Sequence, residues 1–213
     1  MIDLHTHSIF SDGELIPAEL IRRACVKGYR AIAITDHMDS SNMDLIIPRI
    51  AAIAREFNGV QPVRVIPGTE LTHALPGQLP DLVKKARELG AELVVVHGET
   101  IVEPVIEGTN RAAIEAGADI LAHPGLISEE DVILAAEKGV SLELSGRKGH
   151  SLSNGHVASL SVKHGATLVI NTDAHSPGDL INRSFAEEII LSAGLDRKQI
   201  DSIFRNAEKI SKI

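Results

Sequence analysis

Two histidines stand one residue apart in His5-Thr6-His7, and an acid and an imidazole repeat that spacing in Asp173-Ala174-His175. Alternate side chains of an extended segment point the same way, so each pair can present both groups to one ion. Asp12 follows in Ser11-Asp12-Gly13, a turn sequence able to fold back toward the first pair. Imidazoles and carboxylates together suit zinc, manganese or iron, and the lack of thiolate pairs argues against a structural zinc knot. The lone Cys25 cannot form an internal disulfide and is expected as a small buried residue of a helix.

These groups need elements to bring them together. Apolar runs of strand length cover Ile2–His5, Ala31–Thr35, Arg64–Pro67, Glu92–His97, Ile120–His123, Val140–Leu144 and Thr167–Asn171. They are rich in Val, Ile and Ala and do not alternate with polar residues, which marks parallel strands buried on both faces. Helical patterns separate them, near Pro17–Lys27, Asp44–Phe57, Leu79–Leu89, Asn110–Ala116, Glu129–Lys138 and Asn154–His164. Two more, near Asp179–Ser192 and Asp196–Ile210, close the chain and are expected either to cover the barrel or to form a subunit contact. Pro17 sits where a first-turn proline belongs, and Gly139 and Gly165 sit where helices end. Seven βα units in one 213-residue chain predict a single parallel barrel or doubly wound sheet.

Position then becomes informative. The predicted strands end in, or are followed by, His5 and His7, Asp36 and His37, Glu70, His97, His123, and Asp173 and His175. In parallel α/β folds the C-terminal strand ends form the active face. A single strand-end histidine is commonly an ordinary hydrogen-bonded residue, but a structural explanation would have to recur independently at each of these ends. A metal centre explains them all at once. His156 and His164 fall in a helical pattern and are expected at the surface. His73 stays open between a supporting contact, a substrate contact and a plain loop residue.

Composition narrows the partners. The formal net charge is −8, from 29 acidic and 21 basic residues, which opposes an extended nucleic-acid surface but not a nucleotide or strand end held by metals. Aromatic residues are only 2%, so the core must be aliphatic. Mean hydropathy is +0.08, and no apolar run approaches the roughly 20 residues that span a bilayer. The N-terminus has no signal-peptide pattern, so a cytoplasmic protein without a membrane partner is expected. Oligomeric state is not legible.

Taken together these residues resemble the PHP family, the polymerase and histidinol phosphatase superfamily. Its motifs are matched by Asp3-Leu4-His5-Thr6-His7 with Ser11-Asp12-Gly13, by Ile34-Thr35-Asp36-His37, and by Pro67-Gly68-Thr69-Glu70. The later ones are matched by Val96-His97, Ala122-His123-Pro124 and Asn171-Thr172-Asp173-Ala174-His175. The resemblance implies a distorted (β/α)7 barrel, similar to a TIM barrel, holding two or three divalent ions. It implies one ion on His5, His7, Glu70 and Asp173, a second on Asp12, His37 and His175, and a third on His97 and His123 with Glu70 bridging. Asp12 stands where some relatives have histidine, which implies a shift toward harder ions such as manganese. Glu70, Asp173 and His175 are expected to be the catalytic members of this set. Asp3 and Asp36 are expected to orient ligating imidazoles, with a capping or loop role as the alternative for Asp3.

The implied chemistry is phosphate-ester hydrolysis by hydroxide generated at the metals, with the ions neutralising the phosphoryl oxygens. Arg147, Lys148 and His150 follow the strand Val140–Leu144. Arg147 and Lys148 are expected to contact substrate phosphate, and His150 is a candidate proton donor to the leaving oxygen. The primary reading is a phosphatase of a small phosphorylated molecule, with histidinol phosphate as a candidate. The alternatives are a nuclease or nucleotide phosphodiesterase of the same fold, and a non-catalytic barrel that binds a partner. An amidohydrolase-type barrel also opens with His-x-His, but here the middle strand ends in His97 where that group commonly carries a modified Lys.

Overall fold

The computed structural model describes residues 1–213. Eight strands run β1 (Ile2–Asp3), β2 (Ala31–Ile34), β3 (His37–Met38), β4 (Arg64–Leu71), β5 (Leu93–His97), β6 (Ile120–Ala122), β7 (Ser141–Ser145) and β8 (Leu168–Asn171). All pairings are parallel, in the order β1-β2-β4-β5-β6-β7-β8, with β3 paired to the far end of β4. Eight helices alternate with the strands: α1 (Pro17–Val26), α2 (Met43–Phe57), α3 (Leu79–Glu88), α4 (Thr109–Glu115), α5 (Glu129–Lys138), α6 (Asn154–His164), α7 (Arg183–Ser192) and α8 (Arg197–Ser211).

The seven predicted strands are all present, and every residue of β1, β2 and β5 to β8 is buried, as a sheet covered on both faces requires. Two features differ from the sequence expectation. β4 continues to Leu71, so Glu70 lies inside a strand rather than beyond it. β3 is additional, and its register sets His37 directly beside Glu70.

The barrel closes where β8 meets β1. The Asp173 amide donates to the His5 carbonyl at 3.0 Å and the His7 amide to the Ala174 carbonyl at 2.9 Å. Side chains complete the seam: Asn171 Oδ1 accepts from the Leu4 amide at 2.9 Å, and the Thr172 hydroxyl donates to Asp3 Oδ2 at 2.6 Å. The seam therefore draws together the two short segments that carry His5, His7, Asp173 and His175.

Leu4, Ala33, Val95, Ala122 and Val169 fill the barrel interior, while a larger aliphatic layer lies between strands and helices. Helix α1 shows how that layer forms: Pro17, Leu20, Ile21 and Ala24 are buried at helical spacing. Each large aliphatic chain so buried contributes on the order of 2 kcal/mol. Helix α8 starts with a capping box between Asp196 and Gln199. It packs on β8 and β1, and its Ala207 and Ile210 meet the interior cluster. No helix is long and apolar enough to cross a membrane.

Candidate metal centre

The C-terminal strand ends surround a cavity of about 300 Å³ lined by no apolar residue. Asp12, His37, His97, His123, Asp173 and His175 stand in its wall. His5, His7 and Glu70 lie beneath, each 1% exposed or less. All nine residues expected as ligands are thus drawn from segments distant in sequence to one place.

Their nitrogen and oxygen atoms converge. His5 Nε2 lies 3.3 Å from Glu70 Oε1 and 3.7 Å from Asp173 Oδ1. His7 Nε2 lies 3.1 Å from Asp173 Oδ1 and 3.6 Å from Glu70 Oε2. Asp12 Oδ1 sits 3.4 Å from His37 Nε2 and 3.2 Å from His175 Nε2. His123 Nε2 is 3.5 Å from Glu70 Oε1. Potential ligand atoms of His7, Asp12, His37 and His175 lie within 4.8 Å of one another, as do those of His5, His7 and Glu70, and those of His97, His123 and His150. Bonds of about 2.1 Å to a shared cation span such separations. His7 thus falls with the second group as well as the first, and His150 joins the third.

Buried polar atoms without hydrogen-bond partners cost about 1–3 kcal/mol each. His5 Nε2, both ring nitrogens of His7, Glu70 Oε1 and His123 Nδ1 are all in that condition, grouped at this one site. A set of cations facing these atoms would satisfy most of them, so the residues fit a multi-metal site.

Hydrogen bonds at the outer ring nitrogens fix how the imidazoles face. His5 Nδ1 is 2.9 Å from Glu143 Oε2, His37 Nδ1 is 2.7 Å from Thr72 Oγ1, His97 Nδ1 is 3.1 Å from the Gly98 carbonyl, and His175 Nδ1 is 2.9 Å from the Asp173 carbonyl. With the proton on Nδ1, His5, His37 and His97 each present the Nε2 lone pair to the cavity, whereas His175 Nδ1 also faces the Arg147 guanidinium, which can only donate. Three residues here adopt the left-handed region without being glycine: His73 (φ 51°), His123 (φ 28°) and Asp173 (φ 52°). Such backbone is costly and collects at functional sites.

The electrostatics match a site built for positive charge. Burial opposes ionisation of Glu70 and Asp173, yet His5 and the other imidazoles outweigh it and hold both carboxyls well below their usual range. Burial also opposes protonation of His5, but Glu143, Glu70 and Asp173 outweigh it and raise His5 well above its usual value. At His7 burial outweighs the pull of Asp173 and Glu70 and pushes it down to about 3.

Asp3 and Asp36 do not accept from imidazoles, contrary to the orienting role considered for them. Asp36 accepts from the amides and hydroxyls of Ser8 and Ser11 and so pins the loop that carries Asp12. Gly13 completes that fold-back, because a Cβ there would collide with the His7 carbonyl. Asp3 accepts from the His5 and Thr172 amides and the Thr172 hydroxyl, which bears out its loop role. Burial raises its carboxyl to about 6.

Of the expected substrate residues, Arg147 and His150 line the cavity, whereas Lys148 is exposed and outside its lining. Arg147 Nη1 lies 3.1 Å from the Asp173 carbonyl and 2.5 Å from His175 Nδ1, against the wall. His150 Nδ1 bonds the Thr100 hydroxyl at 2.7 Å, which turns Nε2 inward, and burial lowers its pKa to about 4. His73 is at the rim. His156 and His164 are partly buried rather than free at the surface, held by the Ile127 carbonyl at 2.8 Å and by Glu129 at 2.7 Å. Cys25 is half-buried in α1.

Sequence reasoning missed Glu143, Thr72 and Glu103. Glu143 carried a signal, a lone carboxylate inside a strand read as buried on both faces. Thr72 and Glu103 carried none, because their roles depend on loop paths.

A family model described as PHP domain matches residues 3–150. The uncharacterized protein MJ1295 of Methanocaldococcus jannaschii is 49% identical over 202 residues, covering 94% of this chain and 93% of that protein. The DNA polymerase/3'-5' exonuclease PolX of Bacillus subtilis is 28% identical over 195 residues, covering 82% of this chain but 34% of its own length. Among solved structures, a chain of archaeal ribonuclease P with mature tRNA superposes with a TM-score of 0.74 at 21% identity, covering 98% of this chain and 90% of that one. Histidinol phosphate phosphatase of Lactococcus lactis, complexed with zinc, L-histidinol and phosphate, gives 0.63 at 17% identity, covering 92% and 94%. At those identities the two structures establish the shared fold alone. By the family model and the archaeal relative, this chain belongs to the PHP domain family.

Proposed function

We propose that this protein is a metal-dependent phosphoesterase acting on a nucleotide or on the end of a nucleic-acid strand. The observation that carries the hydrolytic reading is the grouping of unpaired, buried imidazole and carboxylate atoms around one wholly polar cavity. His5, His7, Glu70 and Asp173 would hold one ion, Asp12, His37 and His175 a second, and His97 and His123 a third. Divalent cations at such a site supply an activated water near neutral pH and offset charge on the phosphoryl oxygens.

The chain's own groups divide the remaining work. Glu143, Thr72 and the Gly98 carbonyl hold the imidazoles in one orientation. Arg147, at the wall, is placed to turn toward a phosphoryl oxygen, where a guanidinium makes two parallel hydrogen bonds. His150 Nε2 faces the cavity, and because burial holds its pKa near 4 the ring stands neutral there, placed to contact the leaving oxygen.

Substrate class rests on two observations. The relative with a named activity that aligns by sequence is a polymerase and exonuclease. Exposed apolar side chains, Ile9, Ile101, Val102 and Leu126, sit on the loops around the polar mouth and offer surface to a base. The net charge of −8 favours a mononucleotide or strand terminus over an extended strand. A second reading, a small-molecule phosphatase, is favoured by the fold shared with the histidinol phosphate enzyme.

A panel on manganese- and zinc-loaded protein tests both: nitrophenyl esters of nucleotides, short single strands, and histidinol phosphate. Turnover of the nucleotide esters or strand ends, abolished by chelator, is the expected result. Turnover of histidinol phosphate alone would establish the second reading. No turnover of any ester by metal-loaded protein would contradict hydrolysis and favour a partner-binding barrel.

A further inference from the structure

The segment between β5 and α4 runs over the third group of imidazoles and delivers a carboxylate to it. Its ends are fixed. Glu99 and Asn110 exchange side-chain-to-amide hydrogen bonds at 2.8 and 2.9 Å, and Asn110 Nδ2 donates to the Pro124 carbonyl at 2.9 Å. Midway, the Thr100 hydroxyl bonds His150, Val102 lies over Gly149, and the Val105 amide closes a turn on the Glu103 carbonyl at 2.9 Å. The segment is a strap tied at both ends and at its crest.

Glu103 hangs from that crest into the cavity. Its Oε2 lies 3.0 Å from His97 Nε2 and 3.8 Å from His73 Nε2, and its Oε1 lies 3.5 Å from His150 Nε2. No Lys or Arg pairs with it. Its ionic partners are these three imidazoles, although its side chain is 39% exposed and free to seek a surface cation. Glu103, His97 and His73 present ligand atoms within 4.8 Å of one another, and His97 does the same with His123 and His150. His97 is common to both groups, so a carboxylate beside it completes an oxygen-and-nitrogen set on the solvent side of the third position.

We infer that Glu103 is a metal ligand of the His97–His123 position, supplied by the strap. The inference rests on the metal-centre reading and adds to it a tenth protein ligand. Carried, like Asp12, on an exposed loop, Glu103 can yield its place to a substrate phosphoryl oxygen without disturbing the buried ligands.

Manganese and zinc titrations of the full chain, followed by calorimetry and by metal content after dialysis, test this without recourse to activity. Wild-type protein is expected to retain three ions. E103Q should retain two, with the third weakened at least about tenfold, the scale set by loss of even an outer partner of a ligand. E107Q, which alters an exposed carboxylate of the same strap, should match wild type. A third ion bound by E103Q as tightly as by wild type would overturn the inference and leave the metal centre standing. Wild-type protein that binds only two ions would do the same. Wild-type protein that binds none would overturn the metal-centre reading as well. Circular dichroism of each variant separates ligand loss from unfolding.

Discussion

Glu143 accepts a 2.9 Å hydrogen bond from Nδ1 of His5, 138 residues earlier in the chain, with both side chains fully buried. The same carboxylate oxygen accepts from Asn171 Nδ2 at 2.8 Å, so β7 and β8 together hold the first imidazole of the site in place. Replacing Glu143 removes no proposed ligand, but it releases the ring that presents one. E143Q is expected to weaken binding of the innermost ion about 10- to 100-fold while the protein stays folded. E143A should cost a further 1–3 kcal/mol of stability by leaving buried donors unpaired. Metal titration and chemical denaturation measure the two effects separately, and an E143Q protein with wild-type metal affinity would remove Glu143 from the centre.

Removing ligands themselves should act in the opposite proportion. H97A and D173N are expected to fold, lose at least one ion each, and lose phosphoesterase turnover by a factor of 100 or more, on the order of 3 kcal/mol of transition-state stabilisation. Steady-state kinetics on the most active ester with parallel metal analysis checks this. Unchanged turnover in either variant would count against hydrolysis at this centre.

Protons should leave as metal enters. In the metal-free protein His5 is raised above its usual value, despite burial, by Glu143, Glu70 and Asp173, and so carries a proton near neutrality. His37, beside Glu70, and His97, beside Glu103, are also raised despite burial. His7 is pushed down to about 3 by burial and is already neutral. A cation needs the lone pair, so binding at pH 7 must release the protons of the raised group and none from His7. Apparent affinity should therefore fall as pH falls, by about tenfold per unit for each proton displaced. Calorimetry in buffers of different ionisation enthalpy counts those protons, and a pH-independent affinity between pH 6 and 8 would contradict the assignment.

The loop bearing Asp12 offers a test of positioning. Asp36 collects four hydrogen bonds from Ser8 and Ser11, and Gly13 lies against the His7 carbonyl. G13A is expected to displace the loop and weaken the second ion while leaving the others in place. Retention of all ions at wild-type affinity would show that Asp12 is dispensable.

Much of this arrangement is legible in the sequence because it is periodic. Strands buried on both faces read as unbroken aliphatic runs, and their ends fall where the histidines and acids stand. The sequence pattern places Glu70 beyond a strand that ends at Pro67, although it is the seventh of the eight residues of β4 and pairs with β3 and β5. That extension, like the seam between β8 and β1, is made by partners distant in sequence, and no local pattern encodes it. For the same reason Asp3 and Asp36 drew a role that belongs to Glu143, Thr72 and main-chain carbonyls. A carboxylate next to a ligand in sequence bonds the nearest amides, whereas a ring nitrogen reaches whatever the opposite strand offers. Lys148 was grouped with Arg147 and His150 by adjacency, yet the turn at Gly149 directs it to solvent.

Anomalous diffraction from crystals soaked in manganese or zinc tests the central claim most directly. The expected result is two or three peaks a few ångströms apart, ringed by His5, His7, Glu70 and Asp173, by Asp12, His37 and His175, and by His97 and His123. No anomalous density among these side chains in metal-saturated crystals, or ions bound only elsewhere on the surface, would contradict it.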